Sequence, residues 1–243
     1  MKLLLPTYNF ADGPKKIIKS IQPGIDLIIV DNSPTDLIKS LVAGNKSITY
    51  HKNLKELGPV KNMNYGLNIL KSEFISIIHD DEFIGNNELK RLNDLSFKND
   101  EIYLLNFIVI KKKKINENIR NTLRKFFIEK FPKLILFINF IGPTASVIFY
   151  NDNQIKFDEN VKFMFDVDFY YQLFINRKIK FIDIGVESHH KENTVTSRTK
   201  FKKLVELKDF IYFKKKYSIG LLKFIFYVLF SYICRAIIKF RVI

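Results

Sequence analysis

Four polar side chains, His79, Asp80, Asp81 and Glu82, directly follow the apolar, β-branched run FISII (74–78). Burial of such groups at the end of a strand is costly unless positive charge lies between them. Carboxylate oxygens are the ligands that Mg²⁺ and Mn²⁺ prefer, and a hard cation prefers them to an imidazole. The stretch therefore predicts a cation among the carboxylates of Asp80, Asp81 and Glu82; a solvated acidic turn is the alternative.

Short apolar runs alternate with helix-compatible stretches over the first hundred residues, as in βαβ units. The runs are KLLL, IDLIIVD, SITYH and FISII, and the stretches between them are Pro14–Ile21, Pro34–Val42 and Val60–Leu70. This order predicts an α/β fold with a mostly parallel sheet flanked by helices. Ligands bind beyond the carboxyl ends of the strands in such sheets, which is where His79 to Glu82 fall.

The second half predicts further strands at 101–110, ASVIFYN and IKFIDIG, and a helix that begins near Asp166. The aromatic, basic stretch 120–140 contains Pro132, which predicts either two short helices or one helix and an apolar loop.

The composition indicates an anionic partner. The chain has 243 residues, a formal net charge of +15 and a single cysteine, Cys234. One cysteine excludes an intramolecular disulfide framework, which favours the cytoplasm. The residues from 219 onward are strongly apolar, but Lys223 and Arg235 interrupt them, which favours amphipathic contact with an anionic membrane surface over a span. A C-terminal helix packed on the core or on a partner is the alternative.

Five stretches taken together, LLLPTYN, LIIVDNSPTD, GPVKNMNYGL, FISIIHDDE and FDVDFYYQL, resemble the ordered motifs of the family 2 glycosyltransferases of GT-A fold. The resemblance covers residues 2 to 195. It implies a GT-A (Rossmann-like) domain over residues 1–198, followed by a basic, aromatic, membrane-associating helical tail over 199–243. It also implies a nucleotide-sugar donor, UDP- or dTDP-linked, and inversion at the anomeric carbon.

The resemblance assigns individual residues to the donor. Nucleotide-sugar binding falls to Pro6, Tyr8, Asn9, Asp31, Lys61, Asn64 and Asp80. Three positions depart from the family pattern. Asn32 stands where a second Asp is common, His79 stands at the first position of the DxD-like motif, and Phe165 stands where Glu usually precedes the Asp at position 166. Tyr8 as an ordinary aromatic at a strand end is the competing interpretation.

The resemblance further implies a bound Mn²⁺ or Mg²⁺ held by Asp81 and His190, with the adjacent His189 as the alternative histidine. It makes Asp166 the general base that deprotonates the acceptor hydroxyl. Asp168 is the alternative base, and an N-cap role is the alternative for Asp166. Exposed loop histidines without function remain an alternative for the His pair.

The expected function is therefore an inverting, metal-dependent glycosyltransferase, peripheral on the cytoplasmic face of the membrane. Its expected acceptor is lipid-linked or a surface polysaccharide, as in O-antigen or capsule assembly. Three rivals stay open: a non-catalytic nucleotide-sugar-binding protein of the same fold, a nucleotidyltransferase and a nucleic-acid-binding protein. The basic residues concentrate at 111–133 and 200–241, away from the predicted pocket, which disfavours nucleic acid. PTYNFADGPKK lacks the Gly-rich loop of nucleotidyltransferases.

Overall fold

The computed structural model describes residues 1–8, 12–21, 24–55, 57–110, 117–175, 177–189 and 202–241. Within these ranges the strands form one eight-stranded sheet in the order β3-β2-β1-β4-β7-β6-β8-β5. The strands are β1 (Lys2–Thr7), β2 (Asp26–Asp31), β3 (Ile48–Lys52), β4 (Glu73–Ile77), β5 (Glu82–Ile84), β6 (Glu101–Ile110), β7 (Val147–Asn151) and β8 (Lys178–His189).

The first four strands build the parallel half of the sheet. β1 pairs in parallel with β2 and with β4, and β2 pairs in parallel with β3. Their carboxyl ends therefore open onto one edge, and the polar residues after β1, β2 and β4 gather there. β6 and β8 are also parallel, whereas β7 runs antiparallel to β4 and β6, and β5 antiparallel to β8. The predicted mostly parallel α/β sheet is confirmed.

Helices cover both faces of the sheet. They are α1 (Asp12–Ser20), α2 (Leu37–Val42), α3 (Gly58–Ile69), α4 (Asn86–Asn93), α5 (Glu117–Lys130), α6 (Phe165–Ile175), α7 (Lys202–Lys216) and α8 (Leu221–Arg241). A 3-10 helix over Pro132–Leu136 follows α5, in agreement with the break predicted at Pro132. A second one, Thr144–Ser146, leads into β7.

The core has two parts, one on each face of the sheet. One part joins α1, α2 and α4 to the sheet through residues such as Leu5, Ile17, Ile38 and Leu89. The other part joins α3, α6 and α7 to the opposite face and includes Met63, Phe169 and Phe210. α7 is therefore part of the same core as the sheet.

The C-terminal helices are tied to the domain by polar contacts as well. Asp209 of α7 accepts hydrogen bonds from the backbone N–H groups of Lys162, Phe163 and Met164 at 3.1, 2.7 and 2.9 Å, just ahead of α6. Arg235 of α8 pairs with buried Glu206 of α7 at 2.5 Å. The predicted boundary at 198/199 falls within residues 190–201, outside the described ranges, and the described part of the tail packs on the domain.

Candidate active site

The turn after β4 is organised by the buried carboxylate of Glu82. This carboxylate accepts hydrogen bonds from the backbone N–H groups of His79 (2.9 Å), Thr144 (2.7 Å) and Ala145 (3.1 Å), and from the Thr144 hydroxyl (2.8 Å). Burial raises the pKa of Glu82, although the positive character of His79 and the hydrogen bonds oppose the rise. Glu82 thus fastens the turn to the loop before β7, with both carboxylate oxygens in hydrogen bonds, and its place as a candidate metal ligand stays a prediction.

Asp80 lies against the start of α1. A Cβ added at Gly13 would come within 2.3 Å of the Asp80 backbone oxygen, so only glycine permits this approach. The helix that begins at Asp12 therefore reaches the DxD-like turn directly.

Asp81 faces the end of β8. Its backbone oxygen accepts a hydrogen bond from the His189 N–H at 2.7 Å, and its side chain is half-buried. The His189 ring lies 3.0 Å from a Glu187 carboxylate oxygen and 3.4 Å from the Lys16 ammonium nitrogen. A basic group thus stands beside the predicted metal ligand. His190 itself and Asn9 lie outside the described residues.

One half-buried carboxylate fits the metal that the family implies. The described part of the chain contains no cluster of three or more His, Cys, Asp or Glu side chains that could hold an ion alone. A divalent cation bound to a nucleoside diphosphate requires only one or two protein carboxylates, because phosphate oxygens and water complete its shell. Asp81 meets that requirement.

Asp166 is the second residue of α6, and the structure brings it to the turn after β4. The amide nitrogen of Asn139 donates a hydrogen bond to the Asp166 carboxylate at 3.1 Å. The oxygen of the same amide accepts hydrogen bonds from the N–H groups of Ile141 and Gly142. Burial raises the pKa of Asp166, while its helix-terminal N–H bonds, His79 and Asn139 oppose the rise. Asn139 thus joins Asp166 to Gly142, and Glu82 joins Thr144, two residues further on, to His79. The predicted base and the DxD-like turn therefore border one site, the candidate pocket.

Tyr170, one helical turn after Asp166, closes the back of this pocket. It is fully buried, and burial raises the pKa of its hydroxyl, with further increases from the charges of Asp166 and Glu82.

Asp168 is turned away from the pocket into a buried ion pair. Its carboxylate accepts hydrogen bonds from Lys216 at 2.9 and 3.0 Å, from the Tyr217 hydroxyl at 2.7 Å and from Gln172 at 2.9 Å. Of the two candidate bases, Asp166 alone faces the turn after β4.

Of the donor-binding residues predicted at the ends of β1 and β2, Tyr8 is accessible to solvent and Asp31 is buried. The Tyr8 side chain is 48% exposed, and Pro6 lies on β1 just before it. Asp31 is fully buried, and its carboxylate accepts hydrogen bonds from the Ser33 N–H (2.8 Å) and the Tyr50 hydroxyl (2.7 Å). Its predicted contact with base or ribose stays a prediction, and the contacts seen here give it a structural role.

The hydrogen bonds of Asn32 explain why an asparagine stands where the family often has an aspartate. Its amide nitrogen donates to the Lys55 carbonyl at 2.7 Å, while its amide oxygen accepts the N–H groups of Leu57 and Gly58 at 2.8 and 3.2 Å. An aspartate could not donate the first of these bonds. Asn32 therefore holds the loop that starts α3.

The residues predicted on α3 mostly anchor the helix. Asn64 forms two hydrogen bonds with the Phe157 backbone, both 2.9 Å, so its amide is engaged away from the turn after β4. Lys61 lies 3.6 Å from Glu159 in an exposed ion pair. Donor binding by either residue stays a prediction. Sequence reasoning missed Asn139 and Lys16, because no local motif marks residues that reach the site from distant segments. It also missed Tyr170, which lies inside the motif FDVDFYYQL, because its helical spacing reads as an ordinary core position.

The comparisons with known proteins agree with this geometry. The family model described as Glycosyl transferase family 2 matches residues 3–174, so the chain belongs to the family 2 glycosyltransferases and is a glycosyltransferase that uses a nucleotide-sugar donor. The GT-A fold expected from the sequence is confirmed. A search among curated proteins finds no match.

Solved structures of S. aureus TarS share the fold. The complex of TarS residues 1–349 with UDP-GlcNAc aligns with a TM-score of 0.56 and 15% identity, over 88% of this chain and 67% of that one. A second TarS structure aligns with a TM-score of 0.58 and 15% identity, over 92% of this chain and 45% of that one. This chain thus spans about half to two thirds of the length of these neighbours.

Proposed function

We propose that this chain is an inverting, metal-dependent glycosyltransferase that elongates a lipid-linked or surface-polysaccharide acceptor. The observation that carries the proposal is the position of Asp166 beside the DxD-like turn. Asn139 binds both Asp166 and Gly142, and Glu82 binds both Thr144 and His79, so one short loop connects the two. A base and a diphosphate anchor on adjacent elements are what a single in-line displacement requires.

In the proposed reaction the acceptor hydroxyl oxygen attacks the anomeric carbon as the bond from that carbon to the diphosphate breaks. Asp166 takes the hydroxyl proton, and the nucleoside diphosphate leaves with the bonding electron pair. Asn139 orients the Asp166 carboxylate by its 3.1 Å hydrogen bond. One displacement inverts the anomeric centre.

The donor side rests on the turn and on the first strand. Tyr8 and Pro6 pack against the base, Asp80 serves the ribose, and Lys16 and Lys61 lower the cost of the diphosphate charge. Asp81 and His190 would hold the Mn²⁺ or Mg²⁺, which neutralises charge on the departing diphosphate when bound. The loop through Gly142 and Thr144, held by Glu82 and Asn139, shapes the acceptor side.

The acceptor class rests on charge and location. The net charge of +15 and the basic, apolar C-terminal helices suit a peripheral enzyme at the cytoplasmic face of an anionic membrane, as in O-antigen or capsule assembly. This setting is part of the proposal.

The test is release of nucleoside diphosphate from a panel of UDP- and dTDP-sugars with polyprenyl-diphosphate-linked acceptors, for wild type and Asp81→Ala. We expect acceptor-dependent release that requires Mn²⁺ or Mg²⁺ and is lost in the variant. Donor binding without any release across the panel would instead support a non-catalytic nucleotide-sugar-binding protein.

A further inference from the structure

The outer side of α8 is an uncovered apolar surface. Its exposed side chains recur every three or four residues, as one stripe of a helix does. With two exposed phenylalanines of the α5 region, they make up what we name the apolar face: Leu221, Leu222, Ile225, Phe226, Leu229, Tyr232, Ile233, Phe126 and Phe131. Contiguous apolar surfaces of this kind mark binding sites on proteins.

A path of aromatic rings makes the apolar face continuous between the two helices. Phe226 and Phe230 of α8 are stacked with centroids 5.8 Å apart, and Phe230 lies 5.7 Å from Phe127 of α5. Phe127 contacts Phe126, whose ring lies 6.0 Å from that of Phe131. The apolar face is thus one surface built from two segments about a hundred residues apart in sequence.

The opposite side of α8 is fixed to the domain. Tyr227 packs on Phe137 with ring centroids 5.3 Å apart, and Phe224 and Val228 pack on the same core. Arg235 adds a hydrogen bond to the Phe137 carbonyl at 2.9 Å. The helix therefore holds its outer stripe outward, and the stripe can reach only a surface that lies alongside the domain.

The charges beside the apolar face are positive. After Asp209 the sequence contains no Asp or Glu, and exposed Lys223 lies on α8 between the exposed Leu222 and Ile225. Lys216 and Arg235, in contrast, are paired with carboxylates of the domain. Lys133 and Lys223 line a cavity of about 440 Å³ at the start of α8, bordered by Leu221, Leu222 and Tyr227. In the last turns of α5, next to Phe126 and Phe131, Lys125 and Lys130 accompany Glu129.

We infer that the apolar face binds an anionic lipid bilayer, with α8 lying in the plane of the headgroups. Apolar side chains bordered by lysines suit an interface between acyl chains and anionic headgroups. A second copy of the chain fits less well, because a two-fold contact would bring the same basic border against itself. No helix among the described residues is long and apolar enough to cross a membrane. The inference rests on the proposed function, which sets the reaction at a membrane.

The experiment is flotation of the full-length protein with vesicles of phosphatidylcholine, alone or mixed with phosphatidylglycerol. The test variants are Leu222→Gln and Leu229→Gln, at positions 84% and 58% exposed. The matched controls are Leu37→Gln and Leu54→Gln, which are 59% and 95% exposed and lie outside the apolar face. We expect wild type and controls to float with the anionic vesicles, and each test substitution to lower partitioning about tenfold.

The basic border gives a second readout. Lys223→Gln should lower partitioning into anionic vesicles about fivefold, and salt should weaken the binding of wild type. Equal flotation of test and control variants would overturn the inference. So would a wild-type dimer, seen by light scattering, that becomes monomeric in Leu222→Gln without any vesicle binding.

UDP titration of the same variants separates this inference from the proposed function. Unchanged UDP affinity with lost flotation supports the apolar face. Flotation by the apolar face in a protein that binds no nucleotide would contradict the proposed function alone.

Discussion

Lys216 is the residue whose removal most directly tests how the C-terminal helices support the candidate active site. Its ammonium donates to both oxygens of buried Asp168 at 2.9 and 3.0 Å and to Asp158 at 2.7 Å. Lys216→Met keeps the aliphatic stem but leaves the Asp168 charge without its cation. Removing one partner of a buried ion pair costs about 3–5 kcal/mol.

Asp158 gives a second measure of the free energy that Lys216 contributes to stability. Burial alone would raise its pKa, yet hydrogen bonds from Lys216, the Asn160 N–H and Tyr212 lower the pKa to about 2, from an ordinary value of 3.8. That difference corresponds to about 2 kcal/mol at neutral pH, part of which Lys216 supplies. For a protein of this size the loss of about 3–5 kcal/mol at Asp168 alone predicts a melting temperature lower by roughly 6–20 °C.

The assay is thermal unfolding followed by circular dichroism at several pH values. Because the pKa of Asp158 is lowered, its contribution to stability is present above pH 3.8 and is lost as the pH falls towards 2. The difference in melting temperature between wild type and Lys216→Met should therefore become smaller below pH 4. Lys215→Met, at the adjacent exposed lysine, is the control. Equal melting temperatures of Lys216→Met and Lys215→Met at pH 7 would show that the ion pairs of Lys216 do not stabilise the fold.

Three further outcomes concern the candidate active site. Asp166→Asn should lower kcat by about 10²–10⁴, the usual contribution of a general base, while UDP affinity measured by calorimetry stays within about twofold. Because burial raises the pKa of Asp166 and the base must be ionised, the acid limb of the kcat/KM profile of wild type should lie above the ordinary aspartate range; a limb near pH 4 would contradict this. Gly13→Ala, which drives a Cβ onto the Asp80 backbone, should weaken UDP binding, whereas Gly66→Ala, which presses on the Leu4 side chain, should lower only the melting temperature. Equal UDP affinities in both glycine variants would show that the approach of α1 to Asp80 does not matter for the donor.

The sequence predicted the parallel half of the sheet well, because each of its strands is a short apolar run and each intervening helix has a regular period. The break at Pro132, the strand at β7 and the start of α6 near Asp166 were also readable from local chemistry. Strand β5 and helix α4 were missed. β5 has three residues, and its first residue, Glu82, reads as part of an acidic turn.

The side-chain roles depended on contacts that sequence cannot show. Glu82 is buried because Thr144, sixty-two positions away, supplies two of its hydrogen bonds. The sequence favours Asp166 as the base and keeps Asp168 as the alternative, and the structure separates the two because Lys216 pairs with Asp168. Asn64 matched a binding motif, yet Phe157 engages both ends of its amide. Each of these outcomes comes from a partner in a distant segment.

The measurement that tests the account most directly is calorimetric titration of UDP into the full-length protein with Mn²⁺, repeated with EDTA, with Asp81→Ala and with Asp166→Asn. The account predicts binding that requires the metal, is lost in Asp81→Ala and persists in Asp166→Asn, since only Asp81 belongs to the diphosphate side of the pocket. Binding of equal strength in Asp81→Ala, or binding that EDTA leaves unchanged, would contradict the assignment of the turn after β4 as the donor and metal site.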